Sequence, residues 1–213
     1  GFFSDATADS GLGGYVGESM GSTWADFDGD GDLDPYVVKY GGWGLDMALD
    51  SEDYLEDLAN AEVRGLFRNR GDGSFEDLAH WLPAQELRES CSFAAGWFDM
   101  TGDGRPELFL ANDYRPELEC GDNRTYAVED GALRDISAQS ATGIRLNSMG
   151  LSRGDLNGDG LPDMLMSGID EVALMMSLGD GTWYNASLSL GLAPPDEIPG
   201  GATSWGTALA DVD

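Results

Sequence analysis

The sequence predicts an all-β fold made of repeated four-stranded sheets, and three observations lead to that prediction. An Asp- and Gly-rich loop recurs along the chain, segments with period-two alternation flank each copy, and Gly-rich turns follow. The first loop reads Asp26-Phe-Asp28-Gly-Asp30-Gly-Asp32-Leu-Asp34, and copies begin at residues 26, 99, 155 and 211. The intervals of 73, 56 and 56 residues fit one small sheet per copy.

The first strand of each unit precedes the acidic loop. A bulky residue stands six positions before the first Asp, with Ser before it and Gly or Ala after it. From there small and larger residues alternate, so one face of the strand carries mostly small side chains. Such a face indicates a strand packed closely against its neighbours, as at the centre of a radial assembly. The tripeptides are Ser19-Met20-Gly21, Ser92-Phe93-Ala94, Ser148-Met149-Gly150 and Ser204-Trp205-Gly206.

Three more strands are predicted in each unit. A second apolar run follows each complete loop, and a third strand leads into a hairpin whose Asp-Gly sequence favours positive φ. Beyond the turn, in the fourth strand, an aromatic residue or Leu is followed two positions later by a polar residue. Phe3 and Asp5 show the same pattern, which indicates the last strand of a preceding unit. Four strands per unit, repeated, predict a β-propeller. The runs are 36–38, 108–110 and 164–166, the turns 71–73, 130–131 and 179–181, and the endings Phe75/Asp77, Leu133/Asp135 and Trp183/Asn185.

We expect one propeller segment of about 3.5 blades over residues 1–213. Residues 41–63 are an insertion in the first unit. Within it, residues 48–61 have the apolar spacing of a short acidic amphipathic helix, which either forms a binding surface or is a surface helix with no binding role. We expect the native polypeptide to continue at both ends, or a second chain to complete the ring. The units span approximately 14–77, 92–135 and 148–185, with 1–13 ending a preceding unit and 204–213 beginning a further one.

The acidic loop has the donor chemistry of a calcium site. Oxygen ligands at positions 1, 3, 5 and 9, with the carbonyl of position 7, can converge on one hard cation, about one Ca²⁺ per complete loop. An EF-hand would need Glu at position 12, where Val37, Leu110 and Met166 stand; the alternative is a loop whose Asp and Gly serve only the turn. The candidate ligands are Asp26, Asp28, Asp30, Asp32, Asp34, Asp99, Thr101, Asp103, Arg105, Glu107, Asp155, Asn157, Asp159, Leu161, Asp163, Asp211 and Asp213, with Asp32, Arg105 and Leu161 acting through the backbone carbonyl.

The loops between apolar strands resemble the FG-GAP/VCBS repeat of integrin α-subunit-type propellers. The Ser-Met-Gly tripeptides, the segment from Leu66 to Phe75 and the Phe-x-Asp endings are more similar still to secreted ASPIC/UnbV-type proteins. This resemblance, which covers nearly the whole chain, implies a Ca²⁺-stabilised propeller that is exported from the cytoplasm. It leaves the biochemical activity open, because such propellers serve adhesion, carbohydrate contact and enzyme scaffolding.

The amino-acid composition argues against two classes of binding partner. The chain carries 40 Asp and Glu against 11 Lys and Arg, a net charge of −29, which argues against nucleic acid and anionic membrane surfaces. No run of apolar residues is long enough for a membrane span. We expect a non-enzymatic module that binds a protein or glycan ligand in adhesion, located outside the cell, on its surface or in the periplasm. The alternatives are a self-assembling structural subunit of a surface filament and an ancillary domain of a secreted carbohydrate-active enzyme.

The two cysteines, two glycosylation sequons and the single histidine lead to further predictions. Cys91 and Cys120 flank a predicted hairpin whose ends lie together, so a disulfide is expected, with two free thiols as the alternative. Asn123 and Asn185 begin glycosylation sequons. His80, the single histidine, is expected to be structural, and no nucleophile elbow or phosphate-binding loop occurs, so no catalytic residue is predicted.

Overall fold

The computed structural model describes residues 2–13, 19–40, 65–84, 86, 91–114, 120–192 and 203–210. In these ranges the fold is all-β and antiparallel, as predicted. The strands are β1 (Ser19–Ala25), β2 (Asp34–Lys39), β3 (Phe67–Asn69), β4 (Phe75–Asp77), β5 (Ser92–Phe98), β6 (Glu107–Asn112), β7 (Arg124–Glu129), β8 (Ala132–Asp135), β9 (Ser148–Gly154), β10 (Asp163–Gly168), β11 (Val172–Ser177) and β12 (Trp183–Asn185). A 3-10 helix (Ala79–Trp81) follows β4, and a one-turn α-helix (Ser137–Ser140) follows β8.

The strands form three successive units with the same strand order. In the second and third units four strands pair in chain order, β5-β6-β7-β8 and β9-β10-β11-β12. In the first unit β1 pairs with β2 and β3 with β4, and a bridge between Tyr36 and Leu66 joins the two pairs. The second strands contain the predicted apolar runs, which lie in β2, β6 and β10.

The repeated Ser-bulky-small tripeptide is a β-bulge. In each first strand the residue after Ser has no partner on the second strand, which shifts the register by one residue. The unpaired residues are Met20, Phe93 and Met149. The bulky residue of each tripeptide is therefore the extra residue of a bulge. A bulge bends the strand that contains it, and in β5 and β9 it lies two residues from the bridge to the residue just after the second strand of the preceding unit.

Neighbouring units join in the same way each time. A residue just after the second strand of one unit forms a bridge with the residue just before the Ser-bulky-small tripeptide of the next, and β1 packs beside β5 and β5 beside β9. The bridges are Tyr40 with Cys91, Asp113 with Asn147 and Ile169 with Thr203. The last of these begins the segment 203–210, which lies along β9, where Ser152 donates to the Thr207 hydroxyl over 2.8 Å.

The apolar core lies between units rather than within one sheet. The first cluster joins Phe27 and Tyr36 of the first unit to Trp97, Leu108 and Tyr126 of the second. The second cluster joins Phe98 and Phe109 of the second unit to Met164, Met175 and Trp183 of the third. Burial of these side chains stabilises each unit against its neighbours, as in repeat proteins.

The start of the chain departs from one expectation. Asp5 accepts the backbone N–H of Thr7 over 2.9 Å, as Asp77 accepts that of Ala79, so the polar ending is repeated. Phe3, however, is fully exposed and no strand occurs in residues 2–13. A strand needs a partner, and among the described residues no third strand of the same unit lies beside Phe3.

Candidate metal centre

The three complete acidic loops connect the first and second strands of their units and share one backbone conformation. Glycines stand at positions 4 and 6 of each nine-residue loop, and all six have φ between 76° and 96°, a region that side chains with a β-carbon rarely adopt. No described atom lies within 4 Å of a β-carbon built at any of them, so conformation, and not crowding, requires Gly. These glycines are 29, 31, 102, 104, 158 and 160.

The carboxylate at position 1 organises the loop backbone. Asp155 accepts N–H groups from Gly158 at 2.8 Å, Asp159 at 3.1 Å and Gly160 at 2.9 Å. Asp99 accepts the equivalent three, and Asp26 accepts two of them. These bonds hold the position-1 carboxylate in place and fix the path of the chain around it.

The carboxylate at position 9 is buried and links the loop to the third strand. Asp163 is fully buried, and it accepts N–H groups from Leu156 in the loop at 2.9 Å and from Ser177 on β11 at 3.1 Å. Asp34 does the same with Phe27 and with Asn69 on β3. Glu107 is one methylene longer and turns back to Met100 and Thr101 of its own loop. The position-9 group is therefore part of the fold even without a cation.

The side chain at position 5 caps the backbone of position 7. Asp30, Asp103 and Asp159 accept the N–H of Asp32, Arg105 and Leu161 over 2.8–2.9 Å. In the second loop the Arg105 guanidinium also pairs with Asp103 at 3.1 Å. In the third loop the Asn157 amide donates to Asp159 over 2.8 Å.

The first loop brings three carboxylates together. Asp26, Asp28 and Asp34 each offer an oxygen, and the three oxygens lie within 4.8 Å of one another. Ligands bound at about 2.4 Å to one Ca²⁺ are at most about 4.8 Å apart, so this spacing and the all-oxygen donor set fit a hard cation. Asp30 and Asp32 lie outside this cluster, and the described residues contain no second group of three acidic, His or Cys ligands so close together.

The second and third loops present fewer carboxylates. Position 3 is Thr101 in one and Asn157 in the other, so hydroxyl and amide oxygens stand where the first loop has Asp28. The last two candidate ligands, Asp211 and Asp213, lie outside the described residues, as does the insertion 41–63. The first loop is consequently the strongest candidate site.

Burial raises the pKa of the position-9 carboxyl group in the first and second loops. Removal from water raises the pKa of Asp34 to about 6, with the nearby Asp28 and Asp30 charges adding to the rise and the Asn69 and Phe27 N–H groups opposing it. Burial likewise raises the pKa of Glu107. A cation bound among these carboxylates would favour their charged forms.

The predicted disulfide is confirmed. Cys91 and Cys120 are bonded, with their α-carbons 5.7 Å apart, and both are buried beside Tyr40. Cys91 lies at the bridge between the first and second units, so the bond closes the second unit at the end opposite its acidic loop.

The two sequons differ in exposure. Asn123 is fully buried, where its side-chain oxygen accepts from the Asn112 N–H at 2.8 Å and the Ser148 hydroxyl at 3.0 Å. Asn185 is exposed at the end of β12. His80 is exposed on the 3-10 helix, edge-on to Trp81. Only the Asn185 sequon is open to a modifying enzyme in the folded chain.

The second acidic loop is held by the third unit. Trp183 of β12 donates its indole N–H to the Met100 carbonyl over 3.3 Å. Beside it, a β-carbon at Gly181 would stand 3.6 Å from the α-carbon of Thr101. The loop therefore contacts both its own sheet and the next one.

Comparison with known families singles out the same region. Residues 99–166 match the FG-GAP-like repeat. The match covers about one third of the chain, from the first Asp of the second loop through the third loop into β10. No curated protein matches the chain. None of the helices in the described ranges has the length and apolarity needed to cross a bilayer.

Proposed function

We propose that the chain is part of a calcium-stabilised β-propeller that serves as a non-enzymatic binding module in extracellular adhesion. The observation that carries the metal assignment is the convergence of Asp26, Asp28 and Asp34 within 4.8 Å. The FG-GAP-like repeat over residues 99–166 is consistent with an adhesion-type propeller. The Cys91–Cys120 disulfide supports a location outside the cytoplasm.

The propeller assignment rests on how the units meet. First strands lie side by side, each unit joins the next through one bridge at the same position, and the core fills the space between sheets. A β-propeller, in which four-stranded sheets repeat around a central axis, has all three of these features. A ligand would then bind at the loops or clefts between units, where insertions and departures from the repeat accumulate.

Thermal unfolding with Ca²⁺ and with chelator tests the metal assignment. A cation that binds only the folded chain stabilises it by about 2.7 kcal/mol at a hundred times its Kd, so Ca²⁺ should raise the Tm. Asp28→Asn should reduce that rise. Asp32→Asn is the matched control, because it removes the same charge from the same loop but lies outside the carboxylate cluster. An unchanged Tm in chelator, or equal effects of the two variants, would refute the assignment.

A glycan array probed with and without Ca²⁺ tests the binding role. We expect retention of specific glycans that chelator abolishes. If no glycan is retained and the chain instead polymerises as its concentration rises, the adhesion proposal fails in favour of a structural subunit.

A further inference from the structure

A cleft of about 420 Å³ lies between the second and third acidic loops. Asp99 and Met100 line one side, Asp155 and Leu161 line the other, and Arg153 on β9 also faces it. Its volume is in the range of small-molecule sites, well above that of a simple ion. A molecule in this cleft would sit beside two candidate metal loops.

Arg153 departs from the repeat. The residue two positions before the first Asp of the loop is Trp24, Trp97 and Leu209 in the other copies, and Arg153 in the third. Trp97 is buried in the core between the first two units, whereas Trp24 and Arg153 are exposed, so the chemical type of Arg153 and not its exposure sets it apart. Packing does not account for a cation at a position that the repeat keeps apolar, and such departures mark functional positions.

Among the described residues of this strongly acidic chain, Arg153 also has no carboxylate within ion-pair distance. Of the seven arginines in the described ranges, six lie within 4.0 Å of a carboxylate and Arg153 does not. Its guanidinium lies over the Phe98 ring, 5.7 Å from the centroid. A guanidinium above a ring keeps its N–H donors, which lie in the guanidinium plane and can bind a carboxylate in bidentate fashion.

We propose that Arg153 binds the carboxylate of an acidic glycan, a uronic acid residue, in the cleft between the second and third loops. A uronate offers a carboxylate to Arg153 and hydroxyl donors to the acidic and carbonyl oxygens around it, whereas an acidic peptide side chain brings the carboxylate without the hydroxyls. The inference rests on the proposed function, because cations at the loops would offset the charges of Asp99 and Asp155 that repel an anion.

Calorimetric titration of the chain with a galacturonate trisaccharide in Ca²⁺ tests the inference. We expect binding that Arg153→Gln weakens by at least about tenfold, as does methyl esterification of the sugar. Arg134→Gln is the matched control: that arginine is paired with Glu129 and lines a neighbouring cleft, so the affinity should not change. Should Arg153→Gln not fold, Arg153→Lys replaces it, and loss of the bidentate fork should still weaken binding severalfold.

Equal affinity of the parent and the Arg153 variant, or of the acid and its ester, would overturn the inference. Binding of a glutamate tripeptide in place of the trisaccharide would overturn the glycan assignment. The Ca²⁺-induced rise in Tm is measured on the same samples. If that rise is present and no uronate binds, the inference alone fails; if Ca²⁺ has no effect on Tm, the proposed metal function fails.

Discussion

Gly150 lies so close to Trp205 that a β-carbon at residue 150 would stand 3.1 Å from the Trp205 carbonyl oxygen. The same β-carbon would be 2.8 Å from the Ser167 hydroxyl and 3.2 Å from the α-carbon of Gly206. The face of β9 that carries mostly small side chains therefore meets the segment that begins the next copy. This contact is the physical reason for a residue without a β-carbon at position 150 of β9.

Gly150→Ala should destabilise the chain by about 1–3 kcal/mol, because the Ser167 hydroxyl and the backbone of residues 205–206 leave the methyl group no space. Gly21→Ala is the matched control. Gly21 holds the same repeat position, but no described atom lies within 4 Å of its β-carbon, so little change is expected. Denaturant unfolding of the two variants measures the difference, and equal midpoints would contradict the packing explanation.

Asp163→Ala should destabilise the chain by about 2–4 kcal/mol, because the buried N–H groups of Leu156 and Ser177 lose their acceptor. The loss should be present in chelator as well as in Ca²⁺, since these bonds need no cation. Asp159→Ala, which removes an exposed carboxylate from the same loop, should cost much less in chelator. A loss for Asp163→Ala seen only in Ca²⁺ would mean that the carboxylate acts through the metal alone.

Glu86 should make stability fall as pH rises. Its carboxyl group is buried against the Tyr126 hydroxyl at 2.7 Å, and burial raises its pKa above the ordinary 4.5, with Asp135 adding to the rise and Tyr126 and Arg124 opposing it. A raised folded-state pKa gives stability that is complete below the unfolded pKa and is lost as pH rises through the folded one.

Glu86→Gln keeps a partner for the Tyr126 hydroxyl and does not ionise. Its free energy of unfolding, measured in chelator from about pH 4 to about pH 8, should decline less than that of the parent. Parallel pH profiles for the two proteins would show that Glu86 does not titrate differently on folding.

Removal of the disulfide should cost about 3–4 kcal/mol on the chain-entropy model, because the bond closes a loop of 29 residues. The Cys91→Ala, Cys120→Ala double variant should therefore unfold at lower denaturant. Mass measurement after alkylation without reductant checks the bond itself. Two alkylated thiols in native protein would contradict it.

Local sequence was sufficient to predict the loops and turns. Gly29 and Gly131 each follow an Asp, and a glycine in such a turn is expected to have positive φ. The alternation of residues along β9 predicts a strand without reference to residues elsewhere in the chain. The disulfide was also predictable, because a hairpin brings its own ends together. These features depend on residues that are near one another along the chain.

Features that depend on distant residues were not predictable. The N–H that binds Asp34 comes from Asn69, 35 residues away, so the sequence presented Asp34 only as a metal ligand. Asn123 satisfies a three-residue sequon, but its burial depends on Ser148, 25 residues further on. Arg153 could have been found by aligning the copies, where it stands in place of Trp24, Trp97 and Leu209.

The hydrogen bond from Trp183 to the Met100 carbonyl makes the indole of one unit a reporter on the loop of another. A change in the second loop alters the surroundings of a chromophore that belongs to the third unit, so local disorder in one sheet would appear as a fluorescence change in its neighbour. Unfolding should then spread from unit to unit along the chain as nearest-neighbour cooperativity, with each interface as the coupling element.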